Sequence, residues 1–260
     1  MIRGAVQAMG TRFELILEDR GACDECIQEI IELDRKLSRF RSDSLLAHLR
    51  RAAPAPVAVD QDTFDLFRES LEIRRRAPGF EVLWRDGRGA GDVLVLDEDS
   101  CTIAVAPDVE IDFGSIAKGH ALDLCASMID AWGFERGFLH AGTSSVRAIG
   151  EAPGGSPWRV AIAGTAYVAE LVNASLSVSS NDRAHILHPE GTVLSNAMCA
   201  VIHERARWAD AWTTASIASG TMLQPGLWVG PDVVVTDPRF IESSVHHSDW
   251  NHSCPIDATS

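Results

Sequence analysis

Residues 112–119 read Asp112-Phe113-Gly114-Ser115-Ile116-Ala117-Lys118-Gly119, where a hydrophobic, strand-like run gives way to a helical pattern over 117–132. The small residues in this stretch allow the backbone to approach a ligand closely. A helix that begins here points free backbone N–H groups and the positive end of its dipole at whatever binds. Lys118 adds a mobile positive charge. The stretch therefore predicts a strand-to-helix turn that binds an anion, and phosphate is the first hypothesis.

Lysine is scarce in this chain. Lys36 and Lys118 are the two lysines among its 23 basic residues. A lysine inside a glycine-containing turn suggests that a compact point charge is needed, because the planar guanidinium of arginine does not mimic one. Chance explains the placement equally well. Composition alone thus leaves the role of Lys118 open.

Bulk composition bounds the class of protein. The chain has 260 residues, 46% of them hydrophobic, and a formal net charge of −14. This length allows one large or two small globular domains. The negative charge argues against nucleic acid or an anionic membrane surface as a partner. No apolar run reaches the length of a membrane span, and the N-terminus lacks an apolar signal core, so a cytoplasmic protein is expected.

The six cysteines are too few for a disulfide framework in a chain of this length, so free thiols are expected. Cys23 and Cys26 have the spacing of a redox or zinc pair. No second Cys/His pair follows at zinc-finger distance, and both residues fall in an amphipathic helical pattern. We interpret them as ordinary helix cysteines.

Hydrophobic periodicity predicts the elements. Alternation over 11–17 indicates a half-buried strand with Phe13, Leu15 and Leu17 on one face. Helices are expected over 22–37, 44–50, 60–76, 117–132 and 208–219, and strands over 93–96, 102–105, 136–140, 145–149, 157–163, 166–172, 175–179, 198–204 and 232–236. Residues 85–91 are interpreted as a loop. Helices and strands mix without strict βα alternation, which predicts the α+β class.

Asp210 and Thr214 form a second candidate site. On a helix, residues four apart project from one face, so a carboxylate and a hydroxyl meet there. With a backbone carbonyl and phosphate oxygens they make a plausible magnesium site. In the structural alternative, Asp210 caps the helix and Thr214 packs on it. Spacing alone favours this alternative.

Two further segments carry reactive side chains. His185 and His188 lie on a short strand-like run that ends in a Pro/Gly turn, and imidazole suits proton transfer near neutral pH. The pair also has the spacing of metal ligands, although no third ligand lies nearby in sequence. A structural histidine is the default for either one alone. Thr143 and Ser144 lie in a hydroxyl-rich turn that either donates hydrogen bonds to a ligand or is a plain hairpin loop.

The order of these motifs carries a resemblance. Met9-Gly10-Thr11 is followed by Leu37-Ser38-Arg39-Phe40-Arg41-Ser42-Asp43-Ser44, by the 112–119 stretch, by the segment 185–191 and by Ala209-Asp210-Ala211 with Thr214. From about residue 5 to 236 the chain resembles the ApbE-like FAD:protein FMN transferases.

The resemblance implies a fold and a reaction. The fold is a single α+β domain over 1–242, related to the T-fold, with a mixed or antiparallel sheet and flanking helices. Independently of the resemblance, the polar composition of residues 243–260 predicts a mobile, solvated tail. FAD is the substrate, Mg²⁺ assists, and FMN passes to a threonine hydroxyl of a target flavoprotein while AMP leaves. The alternatives are a magnesium-dependent FAD pyrophosphatase and a non-catalytic paralogue that binds a flavin or a partner.

The resemblance also implies roles for individual residues. Metal ligands are expected at Ser115, through its backbone carbonyl, and at Asp210 and Thr214. Catalytic roles are expected for His185 and Asp210. The expected cofactor-binding residues are Met9, Gly10, Thr11, Asp112, Gly114, Ser115, Ile116, Lys118, Thr143, Ser144 and His185.

The chain departs from the family pattern in three places. His188 stands where the family has an aspartate, and Ala141-Gly142-Thr143-Ser144-Ser145 replaces a Gly-Gly-Asp segment. The stretch between Glu81 and Asp112 is shorter than in typical members, where it walls the flavin pocket and often carries a tyrosine. Trp84 and Phe80 are the candidates to replace that aromatic ring.

Overall fold

The computed structural model of the chain describes residues 1–77, 79–91, 93–181, 186, 197–230 and 233–243. Within them the helices are α1 (Arg20–Lys36), α2 (Leu45–Ala52), α3 (Gln61–Arg76), α4 (Ala117–Ala131) and α5 (Ala206–Ser219). The strands are β1 (Ile2–Ala8), β2 (Thr11–Leu17), β3 (Val57–Ala58), β4 (Leu83–Arg85), β5 (Arg88–Gly89), β6 (Leu94–Asp97), β7 (Thr102–Val105), β8 (Glu110–Ile111), β9 (Gly137–Ala141), β10 (Ser145–Ile149), β11 (Trp158–Ala161), β12 (Tyr167–Leu171), β13 (Ser175–Ser180), β14 (Met198–His203), β15 (Gly226–Val229), β16 (Val233–Val235) and β17 (Phe240–Glu242).

An eight-stranded sheet organises the molecule, in the order β1-β2-β9-β10-β13-β14-β15-β16. Its neighbouring strands pair antiparallel throughout. Strand β2 touches β9 rather than β3, so the segment from α1 to α4 is one long connection over the sheet. The predicted α+β class with an antiparallel sheet is confirmed.

The sheet is buried on both faces. Phe13, Leu15 and Leu17 point into the larger core, which they share with α1, α4 and α5. Ile16, between them, joins the smaller core with Trp158 beneath the β11-β12-β17 sheet. Because strand side chains alternate between faces, β2 contributes to both cores. The predicted one-sided grouping of Phe13, Leu15 and Leu17 is confirmed.

Local capping fixes the helix starts. Ser44 Oγ accepts the N–H of Ala47 at 3.1 Å, so the predicted start of α2 is confirmed. Asp60 caps α3 in the same way through the N–H of Thr63 at 3.0 Å. Satisfying an otherwise free N–H by such a side chain stabilises a helix by about 1 kcal/mol.

Two predictions need correction. The segment expected to be a loop over 85–91 contains a hairpin in which Arg85 pairs with Arg88. Asp86 and Gly87 have φ values of 51° and 73°, which is the two-residue turn that Asp-Gly favours. Strand β15 was not expected, because its four residues begin at Gly226, inside a Pro-Gly turn signal. Pairing with β14 stabilises it.

The described cysteines are free thiols, as expected; four are buried and Cys101 is half-buried. Cys23 and Cys26 face the core from α1, and the interpretation as helix cysteines is confirmed. No helix in the described ranges is long and apolar enough to cross a membrane. Ser243 begins the predicted tail and donates its N–H to Ala166 at 2.7 Å. The rest of that tail lies outside the described residues.

Candidate functional site

The predicted anion-binding turn joins β8 to α4. Asp112 closes it, because Oδ1 accepts the N–H of Gly114 at 2.8 Å and Oδ2 accepts Nη1 of Arg39 at 2.8 Å. Gly114 is exposed, and Ser115 and Lys118 are half-buried. A ligand can therefore reach the turn at these three residues.

Ile116 supports this turn from beneath. Its side chain is 0% exposed. Its N–H donates to the carbonyl of Phe113 at 2.9 Å, and its own carbonyl accepts the N–H of His120 at 2.9 Å. The expectation that Ile116 belongs to the cofactor-binding turn stays a prediction. Its apolar side chain anchors the turn in the core while its neighbours present their surfaces.

Helices α4 and α5 pack tightly against each other at Gly119. A Cβ atom there would lie 2.4 Å from the carbonyl oxygen of Ala206 and 2.6 Å from the Cα of Arg207. Glycine is required because it lacks that atom. The close approach places the N–H of Gly119 3.2 Å from Oδ2 of Asp210. One of the free N–H groups that the sequence assigned to an external anion is thus donated to a carboxylate of the protein itself.

Asp123, on α4, caps α5 in return. Its Oδ1 accepts the N–H of Ala206 at 2.7 Å, and its Oδ2 accepts the N–H of Arg207 at 3.0 Å and its Nε at 3.1 Å. The N-cap residue Arg205 makes no side-chain cap hydrogen bond of its own. A negative charge at a helix N-terminus is favourable, so Asp123 fixes where α5 begins.

The carboxylate of Asp210 is almost fully enclosed, with 2% of the residue exposed. Its Oδ1 accepts the hydroxyls of Ser145 and Ser177, both at 3.1 Å. Its Oδ2 accepts the N–H of Gly119 at 3.2 Å and lies 3.4 Å from Nζ of Lys118. A buried carboxylate is tolerated when it is hydrogen-bonded and paired. Groups from β10, β13 and α4 thus fix the position of both oxygens.

Thr214 lies one turn after Asp210, and its hydroxyl donates to the backbone carbonyl of Asp210 at 3.1 Å. Thr213 makes the same contact at 3.0 Å. Ser179, on β13, lies 2.8 Å from the hydroxyl of Thr213 and 3.5 Å from that of Thr214. The alternative in which Asp210 caps its own helix is wrong, because α5 begins at Ala206 and the carboxylate binds α4.

Ser115, Asp210 and Thr214 offer the kinds of oxygen atom that magnesium prefers: a backbone carbonyl, a carboxylate and a hydroxyl. The hydroxyl of Ser115 is buried and has no hydrogen-bond partner among the described residues, so a ligand oxygen or water is its natural partner. Within the described part of the chain, no three or more His, Cys, Asp or Glu residues form a group that could hold a metal ion. A metal here would depend on the single carboxylate of Asp210 together with backbone, hydroxyl and substrate oxygens, and this donor set fits Mg²⁺.

The β1–β2 turn carries the second group of predicted cofactor residues. Met9 and Gly10 adopt positive φ values of 49° and 71°. The N–H of Met9 donates to Oδ1 of Asp34 on α1 at 2.9 Å, which holds a non-glycine residue in this conformation. The turn is therefore tied to the helix layer.

The β9–β10 turn packs directly on Thr11. A Cβ on Gly142 would lie 2.2 Å from Oγ1 of Thr11, and Gly142 donates its N–H to the carbonyl of Arg12 at 2.8 Å. The predicted residues Met9–Thr11 and Thr143–Ser144 thus belong to two touching turns.

Ser144 connects these turns to the buried carboxylate. Its carbonyl accepts the N–H of Val178 at 2.7 Å, and its hydroxyl lies 3.3 Å from that of Ser145. Ser145 in turn donates to Asp210. One chain of contacts therefore runs from the β9–β10 turn to the α4–α5 crossing.

His185 and His188 lie outside the described residues, so the catalytic role expected for His185 stays a prediction. Ile186, between them, is described. Asn181 accepts its N–H at 2.9 Å and donates to its carbonyl at 3.2 Å. Asn181 is itself fully buried at the end of β13. The residue after His185 is therefore anchored to the strand that carries Ser177 and Ser179.

Sequence comparison decides the family. The ApbE family model matches residues 9–81 and 89–225, most of the chain. The chain belongs to the ApbE family. The match takes in both the turn before α4 and the Asp210–Thr214 pair.

Individual proteins of the ApbE family are also similar to this chain in sequence or in structure. A curated FAD:protein FMN transferase of Vibrio cholerae serotype O1 is 25% identical over 188 residues, which is 59% of this chain and 56% of that protein. The match thus spans little more than half the length of the curated relative. Among solved structures, the Pseudomonas stutzeri flavinyl transferase ApbE in its apo form has a TM-score of 0.76 at 20% identity and covers 92% of each chain. The Vibrio cholerae flavin transferase ApbE has a TM-score of 0.73 at 18% identity, covering 94% of this chain and 97% of that one.

Phe40 is a residue of this ApbE chain to which sequence reasoning assigned no role. It is 85% exposed, although it is large and apolar. The guanidinium carbon of Arg39 lies 4.7 Å from its ring centre, and Arg39 also pairs with Asp112. Phe80, one of the two aromatic candidates named from sequence, is buried in the core. Trp84 is half-buried on β4.

Glu69, on α3, is a second residue that sequence reasoning missed. Its Oε1 accepts Nη1 of Arg205 at 2.9 Å, and its Oε2 accepts Nε1 of Trp208 at 2.9 Å. Together with Asp123 it binds the first turn of α5. No sequence signal identifies it, because its partners lie more than a hundred positions away.

His120 is buried on α4 beside the crossing. Burial, followed by the nearby charge of Arg207, lowers its pKa to about 3. Its Nδ1 has no hydrogen-bond partner among the described residues. His120 is therefore neutral in the folded protein at physiological pH.

Proposed function

We propose that this chain transfers FMN from FAD to a threonine hydroxyl of a target flavoprotein with the help of Mg²⁺. The observation that carries the proposal is the buried Asp210 carboxylate, held beside Lys118 and the N-terminal turn of α4. The chain has the ApbE fold, and the curated relative is named FAD:protein FMN transferase. In a chain of net charge −14, a diphosphate needs such local positive groups.

The diphosphate is assigned to the surface of the α4 turn. Gly114, Ser115 and Lys118 are accessible there, and the helix dipole favours an anion. Asp210, Thr214 and the carbonyl of Ser115 would hold the metal. When bound, it would withdraw negative charge from the diphosphate and from the departing AMP.

The transfer step balances without a further reactant. The threonine oxygen of the target forms a bond to the phosphorus of the FMN half, and the bond from that phosphorus to the bridging oxygen breaks. AMP leaves with the bridging oxygen, and the hydroxyl proton passes to a base. We assign that base to His185, because imidazole takes up protons near neutral pH.

Phe40 is assigned to the flavin. An aromatic side chain left 85% exposed beside the ligand surface is suited to stack on a flat ring. Arg39 orients it, since Arg39 contacts both the Phe40 ring and the Asp112 carboxylate that closes the turn. The flavin and the diphosphate then lie on adjacent parts of one surface.

The test is incubation of the purified protein with FAD and Mg²⁺, with and without a candidate flavoprotein, while FAD, FMN and AMP are resolved by chromatography. We expect EDTA-sensitive AMP together with covalently bound flavin on the target. Asp210→Asn should abolish both products, and Asp99→Asn, in an exposed hairpin turn, is the matched control. AMP formation that survives EDTA or Asp210→Asn refutes the metal assignment. AMP with free FMN and no labelled target identifies water as the acceptor, which is the pyrophosphatase alternative.

A further inference from the structure

Lys118 contacts two oxygen atoms of the kind that bind metals. Its Nζ lies 3.4 Å from Oδ2 of Asp210 and 3.4 Å from the carbonyl oxygen of Gly114. The side chain of Lys118 is 20% exposed, whereas that of Asp210 is 3% exposed. Both contacts are longer than a typical charge-assisted hydrogen bond, so the ammonium is loosely held.

The rest of the carboxylate does not depend on Lys118. Ser145 and Ser177 bind Oδ1, and the N–H of Gly119 binds Oδ2. If the ammonium moves away, these three donors keep the carboxylate in place. The position beside Oδ2 that the ammonium has left can then be occupied by a divalent cation.

An ammonium and a divalent cation cannot share this place. Mg²⁺ and Ca²⁺ bind carboxylate and carbonyl oxygens at about 2.0 to 2.6 Å. A cation that close to Oδ2 would lie within a few ångströms of Nζ, and two positive charges in a partly buried site repel strongly.

We propose that Lys118 is an exchangeable internal cation: its ammonium and a divalent cation alternate at Oδ2 of Asp210. The inference rests on the metal site of the proposed function. When the cation binds, the ammonium leaves Asp210 and Gly114 and turns to the exposed side of the turn, where the diphosphate is assigned. Metal binding thereby releases the positive charge that the substrate needs, and the two events are coupled.

The identity of the residue agrees with this exchange. Lys118 is one of only two lysines in a chain rich in arginine. An ammonium on a flexible stem moves easily, whereas a guanidinium would bind the carboxylate through two hydrogen bonds and resist displacement. Lys118→Arg should therefore weaken Mg²⁺ binding in the absence of FAD.

The scarcity of lysine makes the test direct. Protein labelled with ¹³Cε-lysine gives two lysine side-chain signals, and Lys36→Arg assigns them. Lys36 pairs with Asp60 between α1 and α3 and serves as the internal control. On titration with Mg²⁺ alone, we expect the Lys118 signal to shift saturably, the Lys36 signal to stay, and Asp210→Asn to abolish the shift.

Calorimetry with Mg²⁺ alone completes the test. Lys118→Met should bind Mg²⁺ at least about tenfold more tightly than the wild type, because the competing charge is gone. Mg²⁺ binding to the wild type with an unmoved Lys118 signal overturns the proposal. So does the absence of binding to both proteins at millimolar Mg²⁺. If the wild type fails to bind while Lys118→Met binds, the ammonium excludes the cation without exchanging with it, and that result also overturns the proposal.

Failure of the exchange and failure of the proposed function give different results. A shifted Lys118 signal without AMP formation from FAD supports the exchange and counts against the transferase. EDTA-sensitive AMP formation with an unmoved Lys118 signal supports the transferase and overturns the exchange.

Discussion

Asp123 on α4 and Asp210 on α5 each accept backbone N–H groups from the first turn of the other's helix. Asp123 accepts those of Ala206 and Arg207, and Asp210 accepts that of Gly119. The two helices therefore satisfy each other's free N–H groups. This mutual capping fixes the position of α4 relative to α5, the two helices near the proposed metal site. A change at one carboxylate is therefore expected to affect the other.

The first prediction concerns Asp123. Asp123→Ala should lower the free energy of unfolding by about 2 to 4 kcal/mol, because two N–H groups near the start of α5 lose their partner. It should also weaken Mg²⁺ binding, although Asp123 itself is not assigned to the metal. Urea unfolding and calorimetry measure the two effects. Asp130→Ala, at an exposed position of the same helix, is the control. An Asp123→Ala protein with wild-type Mg²⁺ affinity would show that α5 does not depend on this cap.

The second prediction concerns Phe40. Phe40→Ala should weaken FAD binding by about two- to tenfold, the value of one aromatic stack. Its thermal midpoint should stay unchanged, because the side chain is 85% exposed. Flavin fluorescence titration gives the dissociation constant, and Phe40→Tyr should retain it. Val95→Ala, at an exposed position on β6, is the control. Equal affinity of Phe40→Ala and wild type would remove Phe40 from the flavin site.

The third prediction concerns Lys118. Lys118→Ala should weaken FAD binding more than it slows turnover of bound FAD, since the ammonium is assigned to binding the diphosphate rather than to the reacting atoms. KM and kcat separate the two effects. Lys36→Ala, at the only other lysine, is the matched control. A fall in kcat at unchanged KM would instead assign Lys118 to the transition state.

The fourth prediction concerns pH and His120. The pKa of His120 is about 3 in the folded protein and 6.5 in an unfolded chain. Between these values the unfolded state binds a proton that the folded state does not, so acid favours unfolding. The stabilisation is complete above pH 6.5 and is lost as pH falls, at up to about 1.4 kcal/mol per pH unit.

His120→Leu should therefore flatten the dependence of unfolding free energy on pH between about 5 and 6.5. Asp60 titrates below this window: burial raises its pKa, but its bonds to Lys36 and Thr63 outweigh burial and lower the pKa to about 2. His48→Leu, at an exposed position on α2, is the control. If the wild type and His120→Leu keep the same slope, a group other than His120 titrates there.

Local pattern made much of the fold predictable. The alternation of Phe13, Leu15 and Leu17 predicted a strand, and the helical pattern over 44–50 predicted α2, because both signals lie within a few residues of the chain. The composition of 85–91 predicts a loop, although the Asp86-Gly87 dipeptide inside it favours the hairpin turn that is found there. Strand β15 could not be found locally, because it is short and depends on its pairing with β14.

By itself the sequence determined the family resemblance, the turn before α4, and Asp210 with Thr214 as a pair one helical turn apart. The resemblance depends on the order of short motifs along the chain, and the other two depend on residues within a few positions of one another. Only the tertiary structure decided that Ile116 is buried, that Phe40 is exposed beside the turn, and that Asp210 binds Gly119, 91 positions away. Such contacts form where two helices and a sheet pack together, and packing over these distances leaves no local signal in the sequence.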